Sequence, residues 1–240
     1  MDAIERNLNE IFIKLEEPIP PQYLCDYLSR VLLFNFVDEK AITKMIKLWN
    51  NTFFHDENYT VISLARGKDY LQTCIIFLSD NLYHYTSLIE CNKFSSDDRF
   101  TKGNLCKAII GFIKDNKTLI ENEINDCELN KSFPKKEKEK LVNTIHCLID
   151  ILNDDESSFK KNIQYALMID KQYRRGTTIK HALIATTLLR LARHKNRNWT
   201  FDNKLIHQFL VNRAFYTQEP KAWSKNYFKD ELSQIINLIK

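Results

Sequence analysis

Apolar residues recur along this chain at the spacing of a helix. The clearest run is Leu64, Leu71, Ile75, Leu78, Leu82, Tyr85 and Ile89, whose steps of three, four and seven residues keep one face apolar over several turns. Similar runs predict about nine or ten helices. They cover residues 1–17, 21–36, 38–49, 64–89, 105–124, 141–152, 159–167, 177–191, 202–210 and 220–236.

Polar residues at the ends of these runs predict where several helices begin and end. The helix over residues 105–124 is expected to kink near Asn116, and the segment NDDESS is expected to end one helix and cap the next. Thr177 or Thr178 is the predicted N-cap of the helix that follows, and Asp202 that of the next one.

The predicted fold is all-α, a single irregular helical bundle over residues 1–240. An all-β chain would need more turn residues than four glycines and five prolines. Short connections predict mostly antiparallel neighbours, and the absence of a matched repeat argues against a solenoid. The predicted core includes Ile75, Leu78, Leu82, Ile109, Ile145, Ile149, Leu188 and Leu191.

Charge and targeting signals indicate a cytoplasmic protein. The formal net charge of +4 is spread over a chain in which both signs alternate, so it does not call for a nucleic-acid partner. The N-terminus lacks the apolar core of a signal peptide, and no stretch approaches the roughly 18 apolar residues of a membrane span. Six isolated cysteines are interpreted as reduced, buried thiols.

Motifs of the common catalytic and metal sites are missing from the sequence. No histidines lie one helical turn apart, no Cys-x-x-Cys occurs, and the four glycines are too scattered to form a phosphate loop. His55-Asp56 matches the dipeptide of helical metal-dependent phosphohydrolases, but no histidine precedes it. We therefore expect no catalytic residue, metal or cofactor.

Two alternatives involve nucleic acid. Arg175 and His181 have the spacing of the Arg and His pair in helical ribonucleases of the HEPN type, in which the His would do acid/base work and the Arg would stabilise phosphate charge. Arg190, Arg193 and Arg197 are spaced to line one helix face that could bind a phosphate backbone. The simpler interpretation of these arginines is that they complement the dipole at a helix C-terminus.

Acidic residues form two groups beside predicted core helices. The first group contains Glu121, Glu123, Asp126 and Glu128, and the second contains Asp154, Asp155 and Glu156. Either group could present negative surface to a basic partner, and the simpler interpretation is that they are solvated helix ends. These acids, together with Arg190, Arg193 and Arg197, are the candidate partner-binding residues.

The segment from Asp154 to Val211, DDESSFKKNIQYALMIDKQYRRGTTIKHALIATTLLRLARHKNRNWTFDNKLIHQFLV, resembles the C-terminal half of the Immunity protein 49 family. Members of that family have an acidic turn and a Phe-bearing helix, then a Leu/Ala-rich helix with a basic end, then an apolar helix. The corresponding segments here are Asp154 to Tyr173, Leu183 to Arg193 and Trp199 to Leu210.

The resemblance implies a function as well as a fold. It implies an all-α protein that binds and neutralises a cognate bacterial toxin of the polymorphic, contact-dependent or type VI kind by protein–protein contact. It transfers no defined site, and it leaves the identity of the toxin and the oligomeric state open. If the toxin is basic, the acidic groups are the expected contact, and if it is acidic, the three arginines are.

Overall fold

The computed structural model describes residues 13, 39–53, 74, 78, 80, 102–174, 180–217 and 225–239. These residues contain helices and no strand, which confirms the all-α class. The described residues form eight helices: α1 (Glu39–Phe53), α2 (Lys102–Ile113), α3 (Lys117–Leu129), α4 (Lys135–Asn153), α5 (Glu156–Arg174), α6 (Leu183–His194), α7 (Gln208–Asn212) and α8 (Lys225–Ile239).

The predicted count of nine or ten helices is not confirmed, because the described residues contain eight. The predicted helices over residues 1–17, 21–36 and 64–89 lie almost wholly outside the described residues. Ile13, Cys74 and Leu78, which fall within two of them, are helical. The single domain over residues 1–240 stays a prediction.

The helix predicted over residues 105–124 is in fact two helices that reverse direction at Asn116. Asp115 adopts a left-handed conformation with φ 53°, and the Asn116 side chain accepts a hydrogen bond from the backbone N of Leu119 at 3.1 Å. The reversal lets α2 and α3 pack closely at Gly111, where a Cβ would lie 3.0 Å from Cγ1 of Ile120. The sequence around Asn116 predicts a kink in one helix, whereas Asn116 is the N-cap of a second helix.

The turn between α4 and α5 forms as the segment NDDESS predicts. Asp154 ends α4 in a left-handed conformation with φ 59°, and its backbone N–H donates to Asp150 and Ile151. Asp155 Oδ1 then accepts from the backbone N of Ser158 at 2.9 Å, which caps α5. The two helices run antiparallel, so that Gln172 near the end of α5 reaches Glu137 near the start of α4 at 2.9 Å.

Helix α6 lies at the centre of the described structure. Every residue from His181 to Ala192 is buried, and the helix packs against α4, α5 and α7. It begins later than predicted, at Leu183, and the predicted caps Thr177 and Thr178 lie outside the described residues. A helix that is buried on all sides holds its neighbours in place.

The helix predicted from Asp202 is only the five-residue α7, which begins at Gln208. Asn203 is responsible for the difference, because its side chain accepts from the backbone N of Leu205 at 2.9 Å and its carbonyl accepts from Ile206. This local turn competes with a helix over the same residues. His207, rather than Asp202, is the N-cap, since its Nδ1 accepts from the backbone N of Leu210 at 3.4 Å.

The buried apolar residues form one connected core that also includes α1 and α8, which pack against each other. Leu78, Ile109, Ile145, Leu188 and Leu191 are buried as predicted. Ile149 is partly buried against that core, while Ile75 and Leu82 lie outside the described residues. Four of the cysteines predicted to be reduced, Cys74, Cys106, Cys127 and Cys147, are buried and form no disulfide within the described residues. Among the described helices, none is long and apolar enough to cross a membrane.

Replacing Leu188 with Ala should lower the free energy of unfolding by about 2–5 kcal/mol, because the side chain is completely buried and its loss leaves a cavity. Leu129 is the matched control, since it is 76 % exposed and its replacement with Ala should change stability by less than about 0.5 kcal/mol. Urea denaturation of the two variants measures both values. Equal losses would contradict the central position of α6.

Candidate functional site

Arg190 on α6 points into the protein rather than toward solvent. The residue is 1 % exposed, and its guanidinium binds the carboxylate of Asp80 with two hydrogen bonds, from Nε to Oδ1 at 2.9 Å and from Nη2 to Oδ2 at 2.8 Å. This paired geometry suits a planar guanidinium and a carboxylate. Arg190 is therefore not part of a solvent-facing row with Arg193 and Arg197, as its spacing had suggested.

The remaining N–H groups of Arg190 hold the backbone at the end of α7 and just after it. Nη1 donates to the carbonyls of Val211 at 2.9 Å and Arg213 at 2.7 Å, and Nη2 donates to the carbonyl of Ala214 at 3.3 Å. The ring of Phe215 lies 4.1 Å from the guanidinium carbon, within range of a cation–π contact. A single buried side chain thus fixes the course of a segment with little regular structure.

Asp80 collects further donors around the same carboxylate. Arg213 Nη1 lies 2.9 Å from Oδ2, His194 Nε2 lies 3.2 Å from Oδ1, and the backbone N of Tyr216 donates to Oδ2 at 2.9 Å. Burial alone would raise the pKa of Asp80. The hydrogen bonds from His194 and Arg190 and the charge of Arg213 outweigh burial and lower the pKa to about 2. We call Asp80, Arg190, His194 and Arg213 the buried charge cluster.

The other two candidate arginines are held by neighbouring side chains. Arg193 donates to the side chain of Asn198 and, at 2.6 Å, to Oδ1 of Asn212. Arg197 forms an ion pair with Asp154 at 2.8 Å. Trp199, which follows these arginines in the chain, packs against Phe159 at 5.0 Å between ring centroids. The three arginines therefore do not line one open face for a phosphate backbone.

The first acidic group divides into one buried member and three exposed ones. Glu123 is 5 % exposed and accepts from Asn104 at 2.8 Å, and burial raises its pKa. Glu121, Asp126 and Glu128 are exposed, with Glu121 and Glu128 on one flank of the exposed side of α3 and Asp126 on the other flank. We call these three residues the α3 acidic face. Glu121 lies 3.9 Å from Lys117, a distance typical of a weak surface pair.

The second acidic group is used in the turn between α4 and α5. Asp154 binds Arg197, and Asp155 caps α5 through the N–H of Ser158. Glu156 forms an ion pair with Lys160 at 2.7 Å, one turn along α5. Each of these acids has a local structural partner, which fits the simpler interpretation of the group as helix ends.

His181 is enclosed at the start of α6, and Arg175 lies outside the described residues. The His181 side chain is 6 % exposed, and its ring packs against that of His207 with 4.5 Å between centroids. Burial lowers the pKa of His181. A general base must reach the proton that it removes, so an enclosed ring gives no support to the ribonuclease hypothesis.

Asp170 on α5 is a buried acid at the start of α6 that the sequence analysis did not identify. It is 2 % exposed, and its carboxylate accepts from the backbone N of Ile184 and of Ala185, both at 3.1 Å. Burial raises the pKa of Asp170 to about 7, although these N–H groups oppose the shift. An acid from a neighbouring helix therefore accepts hydrogen bonds from backbone N–H groups in the first turn of α6, which have no partner within the helix.

One signal in the sequence could have identified Asp170. Phe159, Ile163, Ala166 and Asp170 follow one another at steps of four, three and four residues, so the acid occupies a position on the buried face of α5. No comparable local signal marks Asp80 or Arg213.

No three His, Cys, Asp or Glu side chains are placed to hold a metal ion within the part of the chain that the structure describes. His55 and Asp56 lie outside that part. The chain matches no model of a known protein family, no curated protein and no solved structure. The resemblance to the Immunity protein 49 family thus stays a hypothesis from the sequence.

Replacing Asp80 with Asn should lower the free energy of unfolding by about 3–5 kcal/mol, because it leaves two buried arginines without their counter-charge. Asp154→Asn is the matched control. Asp80 and Asp154 both have a positive φ, 65° and 59°, which Asn tolerates equally well. The pair of Asp154 with Arg197 is solvent-exposed, however, and should contribute less than about 1 kcal/mol. Urea denaturation at neutral pH compares the two variants, and similar losses would show that the buried charge contributes little.

Proposed function

We propose that this protein is an immunity protein that binds and neutralises a bacterial toxin in the cytoplasm of the cell that makes it. In this proposal it acts by surface contact, and the α3 acidic face is the contact surface. The resemblance of residues 154–211 suggests the toxin partner, and the exposed acids on α3 suggest which part of the protein meets it.

The observation that carries the proposal is the contrast between the two sets of candidate residues. Arg190 is buried, and Arg193 and Arg197 are held by partners within the chain. Glu121, Asp126 and Glu128 are exposed, and the ion pair between Glu121 and Lys117 is a weak surface pair. The acidic set is therefore better placed to meet a partner than the basic set.

A basic toxin fits this surface best. Complementary charge attracts a partner over a distance of about one Debye length and repels partners of the wrong sign. Leu129 extends from the same end of α3 and is 76 % exposed, so it offers an apolar contact beside the acids. Interfaces commonly combine an apolar centre with a polar rim. A toxin that acts on nucleic acid would carry the positive charge that this surface requires.

Reversing the α3 acidic face should slow association with the toxin. In the triple variant Glu121→Lys, Asp126→Lys and Glu128→Lys, the on-rate should fall at least about tenfold at low salt, because the steering field then repels a basic partner. The new lysines near the C-terminus of α3 suit the helix dipole, so the fold should be kept. We expect the adjacent upstream reading frame to encode the toxin, and its C-terminal domain is the probe. The on-rate is measured by surface plasmon resonance.

The control carries the same change in charge on exposed acids elsewhere. Glu39→Lys, Asp202→Lys and Asp230→Lys together alter the net charge equally but leave α3 unchanged. If both triple variants slow association to the same extent, the contact surface is not on α3. Co-expression that gives neither a complex nor rescue of growth would refute the immunity function itself.

A further inference from the structure

Residues 203–217, which we call the α7 strap, run alongside α6 from its first turn to its last. At the first end, the backbone N of Ala182 donates to the carbonyl of Leu205 at 2.8 Å. The backbone N of His207 donates to Oγ1 of Thr186 at 3.3 Å. At the far end the strap is held by Arg190 through the carbonyl of Val211, near the end of α7, and that of Arg213, just after it. Two separate attachments therefore keep the strap on α6.

The first attachment depends on two histidines that touch. His181 and His207 are both buried, and their ring centroids lie 4.5 Å apart with 50° between the planes. His207 Nδ1 accepts from the backbone N of Leu210 at 3.4 Å, which requires that this nitrogen carry no proton. The attachment in this form thus needs a neutral His207.

The charges around the pair disfavour protonation. Burial and the like charges of Lys180 and of Arg174 on α5 oppose protonation of His181, whereas a hydrogen bond with the backbone of Leu205 favours it, and His181 acts with like charge on His207. Asp170, also on α5, points its carboxylate at the backbone N–H groups of Ile184 and Ala185. Within the described residues, the charged side chains that act on the two rings are therefore cationic.

We propose that the His181–His207 pair is an acid-sensitive latch, whose protonation releases the first part of the α7 strap from α6 while the Arg190 end stays attached. Two imidazolium rings in contact would repel each other, and a protonated Nδ1 would no longer accept the N–H of Leu210. The proposal is independent of toxin binding.

The direction of the pH dependence follows from the shifts in pKa. Burial lowers the pKa of His207 from 6.5 to about 4, so the attached strap binds a proton less readily than the released one. The attachment is complete above pH 6.5 and weakens as the pH falls toward 4. The far end persists over this range, because the pKa of Asp80 is about 2 and its ion pair with Arg190 stays charged.

Hydrogen exchange followed by mass spectrometry tests the latch in the full-length protein. Between pH 7 and pH 4, after correction for the intrinsic exchange rate, protection of peptides covering residues 203–212 should fall on the order of a hundredfold. Peptides from the α4 and α5 core should stay protected. Simultaneous loss of protection in the core would mean global acid unfolding and would overturn the proposal.

His207→Asn is the decisive variant. Asn is a good N-cap whose side-chain oxygen can accept the N–H of Leu210, but it does not titrate. The strap should therefore remain protected down to pH 4 in this variant. The pKa of Asp170 is raised to about 7, so its protonation stabilises the folded protein as the pH falls, opposite to the effect of His207. Asp170 is present in both proteins, so its contribution cancels when the two are compared.

If His207→Asn does not fold, a second measurement on the wild-type protein tests the latch. Titration of the imidazole NMR signals of the wild-type protein should show His207 protonating well below pH 6.5, together with loss of the Leu210 amide protection. If His207 titrates at its ordinary pKa, or if the wild type and His207→Asn lose protection alike, the latch does not exist.

Discussion

The buried ion pair of Arg190 and Asp80 is the constraint on which the arrangement of the C-terminal half depends. A buried guanidinium loses several kcal/mol of hydration, and this loss is offset only where its charge and its N–H groups all find partners. Arg190 donates five hydrogen bonds, two of them to Asp80 and three to backbone carbonyls at the end of α7 and just after it. Three segments distant in sequence must therefore come together at once, and a shift of α6 by one residue would leave this charge unmatched.

The same principle applies at the opposite end of α6. Nine of its twelve residues are apolar or threonine, so apolar contacts alone would tolerate several positions along the helix axis. Asp170 removes that freedom, because its carboxylate must meet the N–H groups of Ile184 and Ala185. With Asp170 at the start and Arg190 near the end, α6 has polar contacts that set its register at both ends.

Local interactions explain which parts of this fold could be predicted from sequence. The turn between α4 and α5 was predictable, since its caps lie within five residues of the ends that they stabilise. The reversal at Asn116 was predicted only as a kink, because the close packing that it permits involves Gly111 and Ile120 on different helices. Arg190 was predicted to face solvent because its partner, Asp80, lies 110 residues earlier in the chain. Helical periodicity carries no information about such a partner.

The burial and pairing of arginines within the chain also affect the sign of the surface charge that a binding partner encounters. The formal charge of +4 includes Arg190, which is completely buried, and Arg197, which is paired with Asp154. Exposed charges act over about 8 Å at physiological ionic strength, so the field at α3 depends on its own acids more than on the total. A chain with a positive net charge can therefore present a negative surface to one partner, and net charge alone is a poor guide to the sign of that partner.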